Sequence, residues 1–124
     1  EDSFASAANY INKMGWVKTE PCFFRIKLKN NIPTKYLNTS AKNIKNKKKF
    51  KYFKKYLNIP DHIKIDENLL TGIITPDREI VENSKLLEPA YITFDNYELI
   101  LKWNRSLRFA LAVCTLRDKL KNEL

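Results

Sequence analysis

Hydrophobic residues recur at helical spacing near the start of the chain. In DSFASAANYINKMGW, residues 2–16, the apolar positions follow one another at steps of three and four: Phe4, Ala7, Ala8, Ile11 and Met14. Gly15 comes next, and glycine is a common helix terminator because it adopts left-handed backbone angles without steric cost. The pattern predicts an amphipathic helix that ends at Gly15.

A strand and a second helix are predicted next. In PCFFRIKL, residues 21–28, alternation places Phe24, Ile26 and Leu28 on one face of a strand. Residues 40–57, SAKNIKNKKKFKYFKKYL, return to helical spacing, with apolar residues at i, i+3 and i+7 and the lysines on the opposite face. This stretch is therefore predicted to be one helix, closed by Pro60.

The rest of the chain alternates short apolar pieces with turn formers. AYITF, residues 90–94, predicts a strand, while the pieces between residues 61 and 76 fit strands or irregular connections. DNYELILKW, residues 95–103, predicts a short helix with Asp95 as its cap and Glu98 as the reciprocal capping residue. A last helix is predicted from about Ser106 to Leu120. This order of elements is that of an α+β domain.

Composition limits the size and the partners of the protein. With 124 residues, 44% of them hydrophobic, the chain fits one modest domain. Its net charge of +9 comes mostly from lysine and suggests an anionic partner, although a nucleotide-biased genome would also enrich lysine, asparagine and isoleucine. No apolar run approaches the roughly 18 residues that cross a bilayer. Because the chain begins at Glu1 and enters a helical pattern at once, we expect a piece of a longer protein.

The two cysteines, Cys22 and Cys114, lie far apart and lack the paired spacing of a zinc site. Cys114, among Ala, Val and Leu, is predicted to be a buried thiol that behaves as a small apolar residue. A bridge between the two in an oxidising compartment is the alternative. No metal-ligand spacing occurs elsewhere, so neither a metal nor a cofactor is predicted.

Asn104 lies between the two C-terminal helices and has two interpretations. Asparagine is a favoured N-cap, because its side-chain oxygen accepts a hydrogen bond from an unpaired backbone N–H. Its amide also offers a donor and an acceptor that suit a sugar hydroxyl or N-acetyl group. Tyr10, Trp103 and Phe109 could then supply flat faces for a pyranose ring, or they could belong to the core.

Two stretches of the chain resemble a known family. Residues 2–16 resemble the segment of membrane-bound lytic murein transglycosylase B and its relatives in which an A-N-Y helix ends at a G-W pair. Residues 88–120, EPAYITFDNYELILKWNRSLRFALAVCTLRDKL, are similar to the C-terminal region of that family, with aromatic-Asn-x-Ser, an aromatic before A-L-A-V, and L-x-D. The two stretches occur in the family's order.

The resemblance implies a lysozyme-like fold and cleavage of the β-1,4 bond between N-acetylmuramic acid and N-acetylglucosamine. In that reaction the 6-hydroxyl of the muramic acid attacks, so one glutamate serves first as general acid and then as general base. The resemblance also assigns substrate contacts. Asn104 matches the family's substrate-contacting asparagine, Trp103 an aromatic beside it, and Tyr10 the tyrosine of the A-N-Y helix. Phe109 stands where relatives often have tyrosine, so a hydroxyl contact made there is lost.

One departure from the family concerns the catalytic group. The family's catalytic glutamate and its Gly-rich loop ending in Q-F-x-P-S precede the A-N-Y helix, and this chain has only Gly15 and Gly72. We therefore expect no catalytic residue in this chain and interpret Glu98 as a capping or surface residue. The chain is predicted to be a single domain or the C-terminal fragment of the catalytic domain. Residues 1–20 and 95–124 would form the helical parts of the substrate cleft, and residues 21–94 a mixed α/β region.

The sequence thus predicts the substrate-binding part of a periplasmic lytic transglycosylase that binds peptidoglycan glycan strands, with membrane association through an upstream segment. One alternative is a non-catalytic glycan-binding module. The other is a basic nucleic-acid-binding domain built on NKKKFKYFKKYL, residues 46–57. The aromatics of this segment fall on its apolar seam, which favours a solvated basic face and no nucleic acid.

Overall fold

The computed structural model describes residues 13, 15–16, 20–39, 44–76 and 89–123, without the side chains of Trp103 and residues 119–123. The described residues form strands β1 Phe23–Leu28, β2 Leu37–Asn38, β3 Lys48–Lys49, β4 Leu57–Asn58, β5 Leu70–Ile74 and β6 Ala90–Thr93. They also form helices α1 Phe50–Phe53, α2 Asp95–Trp103 and α3 Leu107–Glu123, with single 3-10 turns at Thr34–Tyr36 and Lys54–Tyr56. The strands predicted at residues 21–28 and 90–94 and the two C-terminal helices are confirmed.

The strands form one sheet in the order β2-β5-β6-β1-β4, and β3 pairs with the beginning of β5. The three longest strands are antiparallel neighbours, with Ile26 opposite Ala90 and Ile73 opposite Ile92. The short strand β2 pairs with β5 in parallel. Because successive side chains of a strand point to opposite faces, each of these strands contributes to two separate hydrophobic layers.

The helical layer covers one face of the sheet. Its buried residues include Tyr97, Ile100, Leu107 and Cys114, and Phe23, Ile74 and Tyr91 of the strands pack against them. The other face carries an aromatic layer in which Tyr36, Phe50, Phe53 and Phe94 pack on Ile26, Ile73 and Ile92. A sheet between a helical layer and a loop-rich aromatic layer is the α+β arrangement that the order of elements predicts.

The helix predicted over residues 40–57 is wrong. Of that stretch the structure describes residues 44–57, in which only Phe50–Phe53 are α-helical. Asn46 has a φ of 57°, a left-handed conformation that a right-handed helix does not contain. Lys48 and Lys49 then pair with β5 instead of continuing a helix. The predicted apolar face of this stretch is nevertheless confirmed, because Phe50, Phe53 and Leu57 are all buried.

The first predicted helix lies almost wholly outside the described residues. Lys13 is helical, and Gly15 follows with a φ of 106°, the left-handed region that favours glycine. Both observations agree with a helix that ends at Gly15. Trp16 then packs against the helical layer.

The cysteines form a disulfide, the alternative that the sequence left open, so the prediction of a free thiol at Cys114 is wrong, although its predicted burial is confirmed. Cys22 precedes β1 and Cys114 lies in α3, and their Cα atoms are 6.1 Å apart. Both are buried in the helical layer. Spacing along the chain did not indicate this bond because the fold places the beginning of β1 beneath α3.

Helix α3 is buried along one face, although its sequence is apolar on nearly every side. Leu107, Ala110 and Cys114 are buried, whereas the Leu116 side chain remains 43% exposed. Within the described part of the chain, no helix is long and apolar enough to span a membrane.

Candidate functional site

The junction between α2 and α3 is a tight turn held by backbone hydrogen bonds. Asn104 ends α2 in an extended conformation, with φ −141° and ψ 115°, and its N–H donates to the Ile100 carbonyl at 3.0 Å. The N–H of Ser106 donates to the Asn104 carbonyl at 2.8 Å. The backbone of Asn104 is therefore fixed on both sides, so its side chain projects from a rigid position.

Ser106, and not Asn104, caps α3. The backbone N–H of Phe109 donates to the Ser106 hydroxyl oxygen at 3.2 Å, as expected for an N-cap three residues earlier. The predicted capping role of Asn104 is wrong, because α3 begins at Leu107, too late for Asn104 to reach its first N–H groups. The Asn104 side chain is exposed, and its amide makes no hydrogen bond to another residue in the described ranges. Among the described residues, the hydrogen-bonding groups of this amide are therefore unoccupied.

A buried tyrosine joins the two helices beneath this turn. The Tyr97 hydroxyl donates to the Leu107 carbonyl at 2.9 Å, and the Tyr97 side chain is fully buried. Burial raises the pKa of the Tyr97 phenol well above its usual range, because the ion would lose its hydration. The hydroxyl therefore stays protonated and holds the first turn of α3 against α2.

Replacing Tyr97 with phenylalanine should lower the free energy of unfolding by about 1–2 kcal/mol, because the buried Leu107 carbonyl loses its side-chain donor. The raised pKa adds a pH dependence: stability is present below the unfolded tyrosine pKa of about 10 and is lost as pH rises above it. Urea unfolding of both proteins at pH 7 and pH 10.5 measures these effects. A variant as stable as the wild type at pH 7 would contradict the bond's proposed importance.

The other predicted contact residues are described unequally. Phe109 is half-buried in the first turns of α3, five residues beyond Asn104. Trp103 is the last residue of α2, directly before Asn104, but its side chain lies outside the described atoms. Tyr10 lies outside the described residues, so its place beside Asn104 remains a prediction. The structure therefore brings Asn104, Phe109 and the backbone of Trp103 to one junction.

The two stretches that carry the family resemblance meet in the fold. Trp16, from the G-W pair, packs against the helical layer. The Arg117 guanidinium of α3 lies 4.8 Å from the centre of the Trp16 ring, which is cation–π distance. The end of the first stretch thus contacts the helix that begins at the Asn104 junction.

Glu98 neither caps α2 nor lies at this junction. The N-cap of α2 is Phe94, without a side-chain hydrogen bond, so the predicted capping roles of Asp95 and Glu98 are wrong. The Glu98 carboxylate pairs with the Lys47 ammonium, with Nζ 2.9 Å from Oε1 and 3.0 Å from Oε2. Glu98 lies six positions before Asn104, which corresponds to a helical rise of about 9 Å. The described residues include no group of three or more His, Cys, Asp or Glu that could hold a metal ion.

Lysines and tyrosines interleave on the other side of the sheet, contrary to the sequence-based separation of aromatics from lysines. We call Tyr52 and Tyr56 with Lys48 and Lys55 the lysine–tyrosine surface. The Lys48 and Lys55 ammonium groups lie 5.4 and 4.9 Å from the centre of the Tyr52 ring. Lysines beside aromatic rings are a feature of surfaces that bind single-stranded nucleic acid, so the separation that argued against such a surface does not hold here.

Solved structures share this fold. SltB3 from Pseudomonas aeruginosa, in complex with NAG-anhNAM-pentapeptide, matches 94% of this chain with a TM-score of 0.67 at 22% sequence identity. Its complex with NAG-NAM-pentapeptide matches with a TM-score of 0.64. The catenated lytic transglycosylase SltB1 from Pseudomonas aeruginosa matches 95% of the chain, with a TM-score of 0.57 at 16% identity. The chain spans only 29% of the SltB3 structure and 36% of the SltB1 structure.

These matches identify the chain as an α+β protein of the lysozyme-like fold, as the resemblance implied. The transglycosylase SLT domain family matches residues 1–118. The chain belongs to the transglycosylase SLT domain family. No curated protein matches it. The narrower assignment to the membrane-bound B type stays a prediction.

Proposed function

We propose that this chain is the C-terminal, substrate-binding part of a peptidoglycan lytic transglycosylase. The observation that carries the proposal is the exposed amide of Asn104, which a rigid turn presents without a partner among the described residues. Because the chain belongs to the transglycosylase SLT domain family over residues 1–118, we infer that the ligand of this amide is a peptidoglycan glycan strand. The SltB3 complexes support the same class, since their ligands are saccharides that carry a pentapeptide.

In this proposal Asn104 binds a hydroxyl or N-acetyl group of the glycan strand, and Tyr10, Trp103 and Phe109 line the groove beside it. An amide suits this task because it donates and accepts hydrogen bonds at once. Aromatic side chains present flat apolar faces to the C–H side of a sugar ring. The junction supplies binding and orientation, and a rigid backbone reduces the entropy lost when the strand is held.

The reaction proposed is cleavage of the bond between N-acetylmuramic acid and N-acetylglucosamine without consumption of water. A glutamic acid donates its proton to the glycosidic oxygen as that bond breaks. The resulting carboxylate then accepts the proton of the muramic acid 6-hydroxyl as that oxygen attacks C1, which forms the 1,6-anhydro ring. We place this glutamate upstream of residue 1. The ion pair of Glu98 with Lys47, away from Asn104, supports that placement.

The partners follow from the substrate. The protein would act on peptidoglycan glycan strands in the periplasm, and an upstream segment would provide any attachment to the membrane. We favour no nucleic-acid partner because family membership over residues 1–118 supports a glycan ligand instead. Salt-dependent retention of nucleic acid that is lost on neutralising Lys47, Lys48, Lys49 and Lys51 would contradict this.

Muropeptide analysis tests the proposal. A longer protein that includes the upstream region should release 1,6-anhydro-muropeptides from purified peptidoglycan, whereas residues 1–124 alone should release none. Hydrolysed products with a reducing end would contradict the reaction type. Release of anhydro products by the 124 residues alone would contradict the upstream position of the catalytic glutamate.

A non-catalytic glycan-binding module is the second candidate. Glu98, the glutamate nearest to the junction in sequence, is held in an ion pair. This observation favours a module without a catalytic group. The reading frame upstream of Glu1 distinguishes the two. A glutamate-bearing helix followed by a Q-F-x-P-S loop supports the enzyme, and its absence supports the binding module.

A further inference from the structure

An open groove lies beside the edge of the sheet at β1 and β4. It has a volume of about 570 Å³ and is lined by Arg25, Ile26, Lys27, Asn58, Ile59 and Pro60. We call it the β1–β4 groove. None of the residues assigned above to glycan binding lines it, so its chemistry needs a separate explanation.

Strand alternation places the polar residues of this groove on the helix-covered side of the sheet. Phe23 packs against the helical layer, and Arg25 and Lys27 follow it at two-residue steps on the same face. Arg25 stands opposite Tyr91, which also packs against that layer, and Lys27 stands opposite Asn58. The two cations of the groove therefore lie on the side of the sheet that carries α2, α3 and the Asn104 junction, whereas Ile26 and Ile59 at its apolar edge belong to the aromatic layer.

The groove presents two cations above an apolar edge. Arg25 and Lys27 are exposed, and neither forms an ion pair with another residue in the part of the chain that the structure describes. Their Cα atoms are about 7 Å apart, since a strand rises about 3.3 Å per residue. Asn58 adds an amide, and Ile59 and Pro60 supply apolar contacts. A matching ligand has carboxylates several ångströms apart on a short, partly apolar chain.

We propose that the β1–β4 groove binds the carboxylates of the peptide attached to the glycan strand. This inference rests on the proposed function, which supplies a peptide-bearing strand at the same side of the sheet. The Arg25 guanidinium can hold one carboxylate through two parallel hydrogen bonds, and the Lys27 ammonium attracts a second as a point charge. The groove would then make the protein prefer strands that still carry an acidic peptide over strands that have lost it.

The lysine–tyrosine surface provides a matched control. Lys48 and Lys55 are also exposed, but they lie over the Tyr52 ring, within the aromatic layer on the opposite side of the sheet. Changing Lys48 and Lys55 to glutamine removes two positive charges, the same number that is removed by changing Arg25 and Lys27 to glutamine. A loss caused only by lower net charge would appear in both double variants.

Binding by the 124-residue chain is measured calorimetrically with four ligands: a muramyl disaccharide with its acidic peptide, the same compound with its carboxylates amidated, the peptide alone, and a peptide-free glycan oligomer. We expect the wild type and the Lys48→Gln/Lys55→Gln variant to bind the acidic disaccharide–peptide about tenfold more tightly than its amidated form. The Arg25→Gln/Lys27→Gln variant should lose this preference and its affinity for the peptide alone, while binding the peptide-free oligomer as before. Thermal unfolding confirms that each variant is folded.

Three results would overturn the inference: no preference for the acidic form in the wild type, a preference that persists in Arg25→Gln/Lys27→Gln, or an equal loss in both double variants. The peptide-free oligomer tests the proposed function separately. If the wild type does not bind that oligomer but binds the acidic peptide through Arg25 and Lys27, the peptide-binding inference is supported and the glycan-binding proposal is contradicted. If it binds the oligomer but not the peptide, the glycan-binding proposal is supported and the peptide-binding inference is contradicted.

Discussion

Replacing both Cys22 and Cys114 with alanine should lower the free energy of unfolding by about 2–5 kcal/mol. The disulfide joins residues 92 positions apart, so it restricts most of the unfolded chain. It also ties the beginning of β1 to α3, between the sheet and the helical layer. For a chain of this size such a loss is a large part of the total stability.

Urea unfolding with and without reductant measures this effect. The wild type should lose stability when reduced and approach the double alanine variant, which should not respond to reductant. The matched comparison matters, because alanine also removes the two buried sulfur atoms, whereas reduction leaves them in place. A wild-type midpoint that does not change with reductant would show that the cysteines are not bonded in solution.

Under the proposed function, replacing Asn104 with alanine in a longer protein that includes the upstream region should lower turnover roughly tenfold, because a group of the glycan strand loses its hydrogen-bond partner. Its stability should change by less than about 0.5 kcal/mol, because the side chain is exposed and does not cap α3. Removing a residue that capped the helix would instead cost about 0.5–2 kcal/mol of stability. Anhydro-muropeptide release and thermal unfolding of the same samples separate the two effects.

Ser106→Ala is the matched control for this prediction. It removes the hydroxyl that accepts the Phe109 N–H, so it should cost about 0.5–2 kcal/mol of stability. Once the protein is held below its unfolding transition, its turnover should exceed that of Asn104→Ala. Equal turnover in wild type and Asn104→Ala would remove Asn104 from the substrate contacts.

The strands and the C-terminal helices could be predicted because their side-chain patterns are local. Alternation in β1 and the 3.6-residue period of α2 are set by which residues face the core, and each pattern is complete within one element. The two family stretches also depended only on local sequence. These features gave the α+β class and the lysozyme-like fold.

Other features depend on contacts between distant residues. Residues 44–57 have apolar residues at helical spacing, but Lys48 and Lys49 pair with β5, so the first part of the predicted helix does not form. The disulfide could only be an alternative on sequence alone, because nothing in the sequence places Cys22 beneath α3. The cap of α3 is Ser106 rather than Asn104, a shift of two residues that removes the capping interpretation of the asparagine and leaves ligand binding as the prediction.

The candidate site was partly predictable for the same reason. The resemblance proposes Asn104 as a substrate contact, which stays a prediction, and the structure adds that its amide is exposed on a turn fixed by Ile100 and Ser106. Arg25 and Lys27 alternate with Phe24 and Ile26, a sequence signal that the two cations share one face of the strand. Only the pairing of β1 with β4 shows that a groove lies beside them.

The most direct test of the account is to follow the backbone amide NMR signals of the 124-residue chain while a peptide-free glycan oligomer is added. We predict the largest shift changes at Asn104, Arg105 and Phe109, together with Tyr10, and little change at the lysine–tyrosine surface. Changes centred on that surface, or saturation with the signals of Asn104 and Phe109 unmoved, would contradict the claim that the α2–α3 junction binds the glycan strand.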